Sequence, residues 1–197
     1  VRPGSALDTV LDALREGQVV AIPTDTVYGL AVNPHVHGTT EELFRLKDRP
    51  EALALPVLVG DAADAPALGL LDERAAVLVA EYWPGALTIV VKRQGGVVFD
   101  LGGDPSTIGL RCPAHAVVRH LLAVSGPLAV TSANRHGEPP CVRAGDVRQA
   151  FGGSIAILDG GPAAGRPSTV ISLVGAHVEC LREGSVPMSE IETLLGP

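Results

Sequence analysis

Leu7, Val10, Leu11 and Leu14 recur at the spacing of one helix face, and Ser5 with Asp8 has the form of a capping box ahead of them. Gly17 is placed to stop that helix. A continuous apolar run at 19–22 follows and reads as a buried strand. It enters the polar stretch Pro23-Thr24-Asp25-Thr26-Val27-Tyr28-Gly29-Leu30. Further along, the pattern predicts a short helix over 41–46 capped by Thr39 or Thr40, a strand at 56–59, and a helix over 72–82 capped by Asp72. Trp83-Pro84-Gly85 is a sharp corner before a strand at 87–91. Glycine pairs at 95–96 and 102–103 mark turns. A strand at 107–110 ends at Arg111, and Pro113 is a first-turn residue for a helix over 114–124. The strand at 128–130 runs into Thr131-Ser132-Ala133-Asn134. A helix near 145–151, strands at 154–158, 169–173 and 178–181, and a helix over 189–195 complete the pattern.

Helices and strands alternate irregularly, and several strands are adjacent in sequence. The expected fold class is therefore α/β: a single domain over 1–197 with a twisted, mixed parallel and antiparallel sheet flanked by helices. No linker, repeat or low-complexity tract divides the chain.

Composition narrows the function classes. The 197 residues are 46% apolar and 19% charged, the profile of a compact globule with a real core. Aromatics are only 3%, so that core must be aliphatic. No apolar run is long enough to span a bilayer, and no secretory pattern opens the chain, so a cytoplasmic location with no membrane partner is expected. The net charge is −7, and Lys47 and Lys92 are the only lysines, which argues against a broad electrostatic grip on nucleic acid while allowing a local basic pocket. Cys112, Cys141 and Cys180 are too scattered for a disulfide framework or a zinc site and read as small buried hydrophobes. No metal site is expected from the scattered histidines.

Phosphate loops and nucleophile elbows of the common kinds are absent. What recurs instead is a hydroxyl-rich or cationic strand end. Thr24, Thr26 and Tyr28 follow one strand, and Lys47 and Arg49 leave a helix. Thr107 and Arg111 flank another strand, and Thr131, Ser132 and Asn134 follow a third. Ser168 and Thr169 open a fourth, and Arg182 closes a fifth. Guanidinium and ammonium groups hold phosphates and carboxylates, while hydroxyls and backbone N–H groups orient them, so this set suits a polyanionic ligand.

The same segments carry a resemblance. Residues 23–30, Lys47-Asp48-Arg49-Pro50, Trp83-Pro84-Gly85-Ala86-Leu87-Thr88, Leu110-Arg111-Cys112-Pro113, Thr131-Ser132-Ala133-Asn134, Ser168-Thr169-Val170 and Leu181-Arg182-Glu183-Gly184 occur in the order found in the YrdC family, from about residue 5 to the C-terminus. The chain resembles the single-domain form of that family, which contains the threonylcarbamoyl-adenylate synthases. The resemblance implies a nucleotidyltransferase that condenses L-threonine, bicarbonate and ATP, brought as its Mg2+ complex, to threonylcarbamoyl-AMP and pyrophosphate. No tightly bound cofactor is implied. The product would pass to a downstream threonylcarbamoyl transferase for tRNA threonylcarbamoyladenosine modification, leaving direct RNA contact as a secondary role.

By the same resemblance Lys47 and Arg49 are catalytic. Lys47, Arg49, Thr107, Asn134 and Arg182 would bind ATP. Thr26, Tyr28, Arg111, Ser132 and Ser168 would bind threonine, with Tyr28 as a wall and Arg111 on the carboxylate. Two stretches depart from the pattern. Leu53-Ala54-Leu55 stands where many relatives carry Asn-Pro-Leu, which removes one implied ATP contact, and His136-Gly137 replaces Ser-Gly after Ser-Ala-Asn. The alternative reading is an RNA-binding translation or ribosome-maturation factor without nucleotidyl transfer, which the acidic charge disfavours. A carbamoyl-transfer domain of a larger maturation enzyme is a third reading, lowered by the absence of accessory zinc-binding and acylphosphatase segments.

Overall fold

The computed structural model describes residues 5–48, 53–135 and 137–196. Six α-helices and one mixed ten-stranded sheet make up the fold. The helices are α1 (Ala6–Arg15), α2 (Thr39–Lys47), α3 (Glu73–Tyr82), α4 (Ala116–Ser125), α5 (Ala144–Phe151) and α6 (Met188–Leu195), with a short 3-10 helix at Ala62–Ala67. The strands are β1 (Val20–Ile22), β2 (Gly29–Val32), β3 (Val57–Leu58), β4 (Gly69–Leu70), β5 (Leu87–Arg93), β6 (Thr107–Arg111), β7 (Leu128–Ser132), β8 (Ala156–Ile157), β9 (Thr169–Ser172) and β10 (Glu179–Arg182). They lie in the order β10-β9-β5-β6-β3-β7-β2-β1-β8, with β4 paired to β5. Parallel pairs (β1 with β8, β3 with β6, β5 with β9) are interspersed among antiparallel ones, so the mixed sheet is as expected.

Local chemistry explains the helix ends. Ser5 and Asp8 form the reciprocal capping box, and the Asp72 carboxylate accepts the Ala75 N–H at 2.9 Å. Other ends differ from expectation. Gly38 caps α2, so Thr39 and Thr40 fall inside the helix. The single Thr39 hydroxyl proton is shared between the Asn33 and Val36 carbonyls instead. Helix α4 starts after His115, because Pro113 and Ala114 are drawn into the turn beyond β6. Strands β2 and β4 were not anticipated. Cys112 and Cys141 are buried, but Cys180 is exposed on the edge strand β10.

Residues paired across neighbouring strands share a sheet face, so the register sorts every side chain. On one face Val20, Ile22, Ala31, Val130, Leu128 and Leu58 pack against Val10, Leu11 and Leu14 of α1 and Val118, Leu121 and Leu122 of α4. On the opposite face Leu30, Ala129, Val57, Leu110, Ile89 and Ile171 pack with Leu43 and Phe44 of α2, Leu78 of α3, Val147 of α5 and Ile191 of α6.

The apolar cover of α1 and α4 stops at Leu58. Continued onto the neighbouring strands, the same face carries Thr107, Gly109 and Arg111 of β6, Thr88, Val90 and Lys92 of β5, Val170 and Ser172 of β9 and Glu179 and Arg182 of β10. This half-face is polar, with three cationic side chains and one carboxylate, and part of it is open to solvent. The fold therefore leaves a polar, charged half-face beside an apolar one.

Leu30 of the unanticipated strand β2 is fully buried, whereas Leu70 of β4 is half-exposed. Leu30→Ala is expected to cost about 2–5 kcal/mol and Leu70→Ala less than about 1 kcal/mol, as read by urea unfolding.

Candidate functional site

Arg111 ends β6 on the open half-face, and only 6% of its surface remains exposed. Three elements converge on its guanidinium. Its Nη2 donates to the Asp25 carboxylate at 2.7 Å, its Nη1 to the Thr26 hydroxyl at 3.0 Å, and its Nε to the Gly85 carbonyl at 2.9 Å. The Trp83-Pro84-Gly85 corner is locked in place by the Trp83 indole N–H on the Leu87 carbonyl and by the Gly85 N–H on Cys112. Asp25 also accepts the Ala114 N–H at 3.1 Å, which ties the β1–β2 loop to the start of α4. Burial lowers the Arg111 pKa; Asp25 opposes that shift, and the positive charge of nearby Arg182 adds to it.

Proton inventory fixes the direction of the buried hydroxyl bonds. Thr24 has one hydroxyl proton and gives it to the Val27 carbonyl at 2.6 Å. The 2.9 Å contact between Thr24 and Thr26 is then donated by Thr26, whose lone pairs take the Arg111 N–H. Beside this group, the Ser168 hydroxyl lies 3.0 Å from that of Thr88, and Arg182 grips the Ser168 carbonyl and hydroxyl at 2.9–3.1 Å. Arg182 is exposed as a residue, yet desolvation still lowers its pKa.

A second group forms where α2 meets the end of β7. Lys47 is buried, and its ammonium donates to the Ser132 carbonyl and hydroxyl, to Thr131 Oγ1 and to Asn134 Oδ1, so four oxygens share three N–H groups. Asn134 also takes the Ser132 hydroxyl proton at 2.6 Å and donates to the Arg135 and Glu138 carbonyls. Residues 26–29 connect the two groups: Thr26 meets Arg111, and Gly29 pairs with Ser132.

Of the residues singled out in the sequence, Thr26, Arg111, Ser168 and Arg182 come together, as do Lys47, Ser132 and Asn134. Thr107 joins neither group. It lies at the far end of β6 from Arg111, on the same face, and bonds to the Asp104 carbonyl. Tyr28, expected as a wall of the threonine side, is fully buried, and its hydroxyl donates to the Gly161 carbonyl at 2.8 Å, bracing the segment that leads to Ser168. Burial raises its pKa. Arg49 lies outside the described residues, as does His136.

Asp25 and Thr88 were not assigned roles from sequence. Thr88 is the single polar residue in the apolar run 87–91, a signal that could have found it. Asp25 had no such signal among its hydroxyl neighbours. Among the described residues, no three His, Cys, Asp or Glu side chains cluster to hold a metal ion.

A mixed sheet with one half-face left uncovered by α1 and α4 thus gathers buried guanidinium and hydroxyl groups at one strand end. The family profile described as "Telomere recombination", covering Sua5, YciO and YrdC proteins, matches residues 12–184. The chain belongs to the YrdC/Sua5 family. It is 40% identical over 164 residues to the threonylcarbamoyl-AMP synthase of Chromohalobacter salexigens, covering 82% of this chain and 89% of that protein. It is 35% identical over 189 residues to the threonylcarbamoyl-AMP synthase of Bacillus subtilis, covering 93% of this chain but only 55% of that longer protein. The structure of Pyrococcus abyssi Sua5 complexed with L-threonine superposes with a TM-score of 0.91 at 34% identity, over 96% of this chain and 57% of that one. Escherichia coli YciO superposes at 0.86 over 96% and 95% of the two chains; its 22% identity speaks to the fold alone.

Gly184 follows Arg182, and a methyl group there would collide with the Pro167 carbonyl and the Ser168 backbone, which cannot move aside as a side chain could. Gly184→Ala is expected to lower stability by about 1–3 kcal/mol and to disturb the Ser168–Arg182 contact. Gly145 lies in α5 with open space around it, so Gly145→Ala should gain about 0.5–1 kcal/mol. Urea titrations of the two variants check both signs.

Proposed function

We propose that this chain is an L-threonylcarbamoyladenylate synthase, a nucleotidyltransferase. In the reaction, the threonine amine and bicarbonate give a carbamate with loss of water. A carbamate oxygen then attacks the α-phosphorus of ATP, and the bond to the bridging oxygen breaks to release pyrophosphate. ATP would arrive with Mg2+ as substrate, and the adenylate would serve tRNA threonylcarbamoyladenosine modification through a downstream transferase.

The observation that carries this reading is the Arg111 guanidinium. Of its five N–H groups, three are spent on Asp25, Thr26 and Gly85, and the other two have no partner among the described residues and would suit a carboxylate. The group sits on the open face beside the Arg182 charge, in a chain of the family whose P. abyssi member was crystallised with L-threonine. Thr26, Ser132 and Ser168 would line the threonine side, with Tyr28 acting from behind to fix the 159–161 turn.

Two anions must meet in this reaction, so the protein has to screen their repulsion and stabilise the charge of the phosphoryl transition state. Arg182 is held at Ser168 through Nε and Nη2, and its exposed remainder would face phosphates. Lys47 fixes the 131–134 strand end and places a buried positive charge beneath it. Arg49, Thr107 and Asn134 would complete the nucleotide side, with Thr107 marking its reach along β6. No side-chain nucleophile is needed, since positioning and electrostatics supply the catalysis.

Pyrophosphate release from ATP should require both threonine and bicarbonate; release that ignores either omission would reject the reading. In the same assay Lys47→Ala and Arg182→Ala should each lose about 2–4 kcal/mol of transition-state stabilisation. Arg111→Lys should raise the threonine KM at least about tenfold, because a point charge cannot replace the planar fork. An unchanged threonine dependence would remove Arg111 from the substrate site.

A further inference from the structure

Every residue from 20 to 32 is buried except Asp25, whose side chain keeps 16% of its surface open. One carboxylate oxygen, Oδ1, takes both of its bonds, from Arg111 Nη2 at 2.7 Å and from the Ala114 N–H at 3.1 Å. The other oxygen, Oδ2, has no hydrogen-bond partner among the described residues. A carboxylate oxygen with unused lone pairs, held rigidly next to a buried guanidinium with two unused N–H groups, is an unfinished arrangement. The pair is neutral within itself, but each member has hydrogen-bonding capacity left over.

An α-amino acid supplies that partner. Its ammonium and carboxylate sit on adjacent atoms of a single carbon centre, with polarity reversed relative to Asp25 and Arg111. Docked together, the four charges alternate, and no net charge is added to a site from which water is largely excluded. The desolvation of each group is then offset by a charge-assisted bond. We propose that Asp25 is a specificity residue that recognises the substrate α-ammonium through Oδ2, while its Oδ1 holds Arg111 in position for the carboxylate. This deepens the synthase reading and rests on it. It also gives a partner to the one carboxylate oxygen of a mostly buried loop that the described residues leave unbonded.

The test compares two ligands by calorimetry in bicarbonate-free buffer with ATP present. One is L-threonine; the other is its hydroxy-acid analogue, in which a hydroxyl replaces the α-ammonium. Wild type should bind threonine at least about tenfold more tightly than the analogue. Asp25→Asn, which keeps an oxygen for Arg111 and Ala114, should lose at least about tenfold in threonine affinity while its affinity for the analogue stays within about threefold. A purely structural role for Asp25 predicts that both ligands weaken together, and that result would overturn the assignment while leaving the synthase reading intact. Wild-type protein that binds neither ligand would overturn both. If Asp25→Asn fails to fold, the wild-type preference decides alone: equal affinity for the two ligands excludes an ammonium-recognising carboxylate.

Discussion

The structure turns on one buried ion pair, Arg111 with Asp25. A guanidinium with only 6% of its surface exposed carries a desolvation cost that no single partner offsets, and the surrounding chain is organised to meet it. The β1–β2 loop contributes a carboxylate and a hydroxyl, the 83–85 corner a carbonyl, and the first turn before α4 an N–H that steadies the carboxylate. These segments are remote in sequence, and the pair ties their polar edges together where Tyr28, Trp83 and Cys112 join the common core.

Around this pair the fold is asymmetric by design of its sheet. Helices α1 and α4 cover one half of a face, and the other half is left to Thr88, Val90, Lys92, Thr107, Gly109 and Arg182. Gly109 keeps the floor flat between β5 and β3, where any side chain would rise into the platform; its open position meets only Pro56 and Thr88 at ordinary contact distance. The chain is acidic overall at −7, yet Arg111 and Arg182 lie near enough for each charge to act on the other, while Lys92 stands opposite Thr107 at the far end of β6.

Much of this was legible in the sequence where local chemistry decides structure. Ser5 with Asp8 and Asp72 announced their helices, and the alternation in 107–111 announced β6. What escaped reading depended on distant partners. Strand β2 is buried on both faces, so Gly29 to Val32 shows no alternation and merges with the polar run before it. Gly38, not a threonine, caps α2 because the Thr39 hydroxyl finds carbonyls in the preceding turn. Cys180 is exposed because β10 is an edge. Candidate site residues were visible as ordered motifs of the YrdC/Sua5 family, but their mutual contacts were not. Asp25 and Arg111 stand 86 positions apart, and nothing local ties them together. The burial of Tyr28 and its bond to the Gly161 carbonyl likewise depend on a distant turn.

A crystal structure of the protein with L-threonine bound tests the central claim most directly. The account predicts the substrate carboxylate within hydrogen-bonding distance of both Arg111 terminal nitrogens, on the uncovered half of the sheet between Thr26 and Ser168. Threonine seated elsewhere, with the Arg111–Asp25 pair unchanged and untouched, would contradict it.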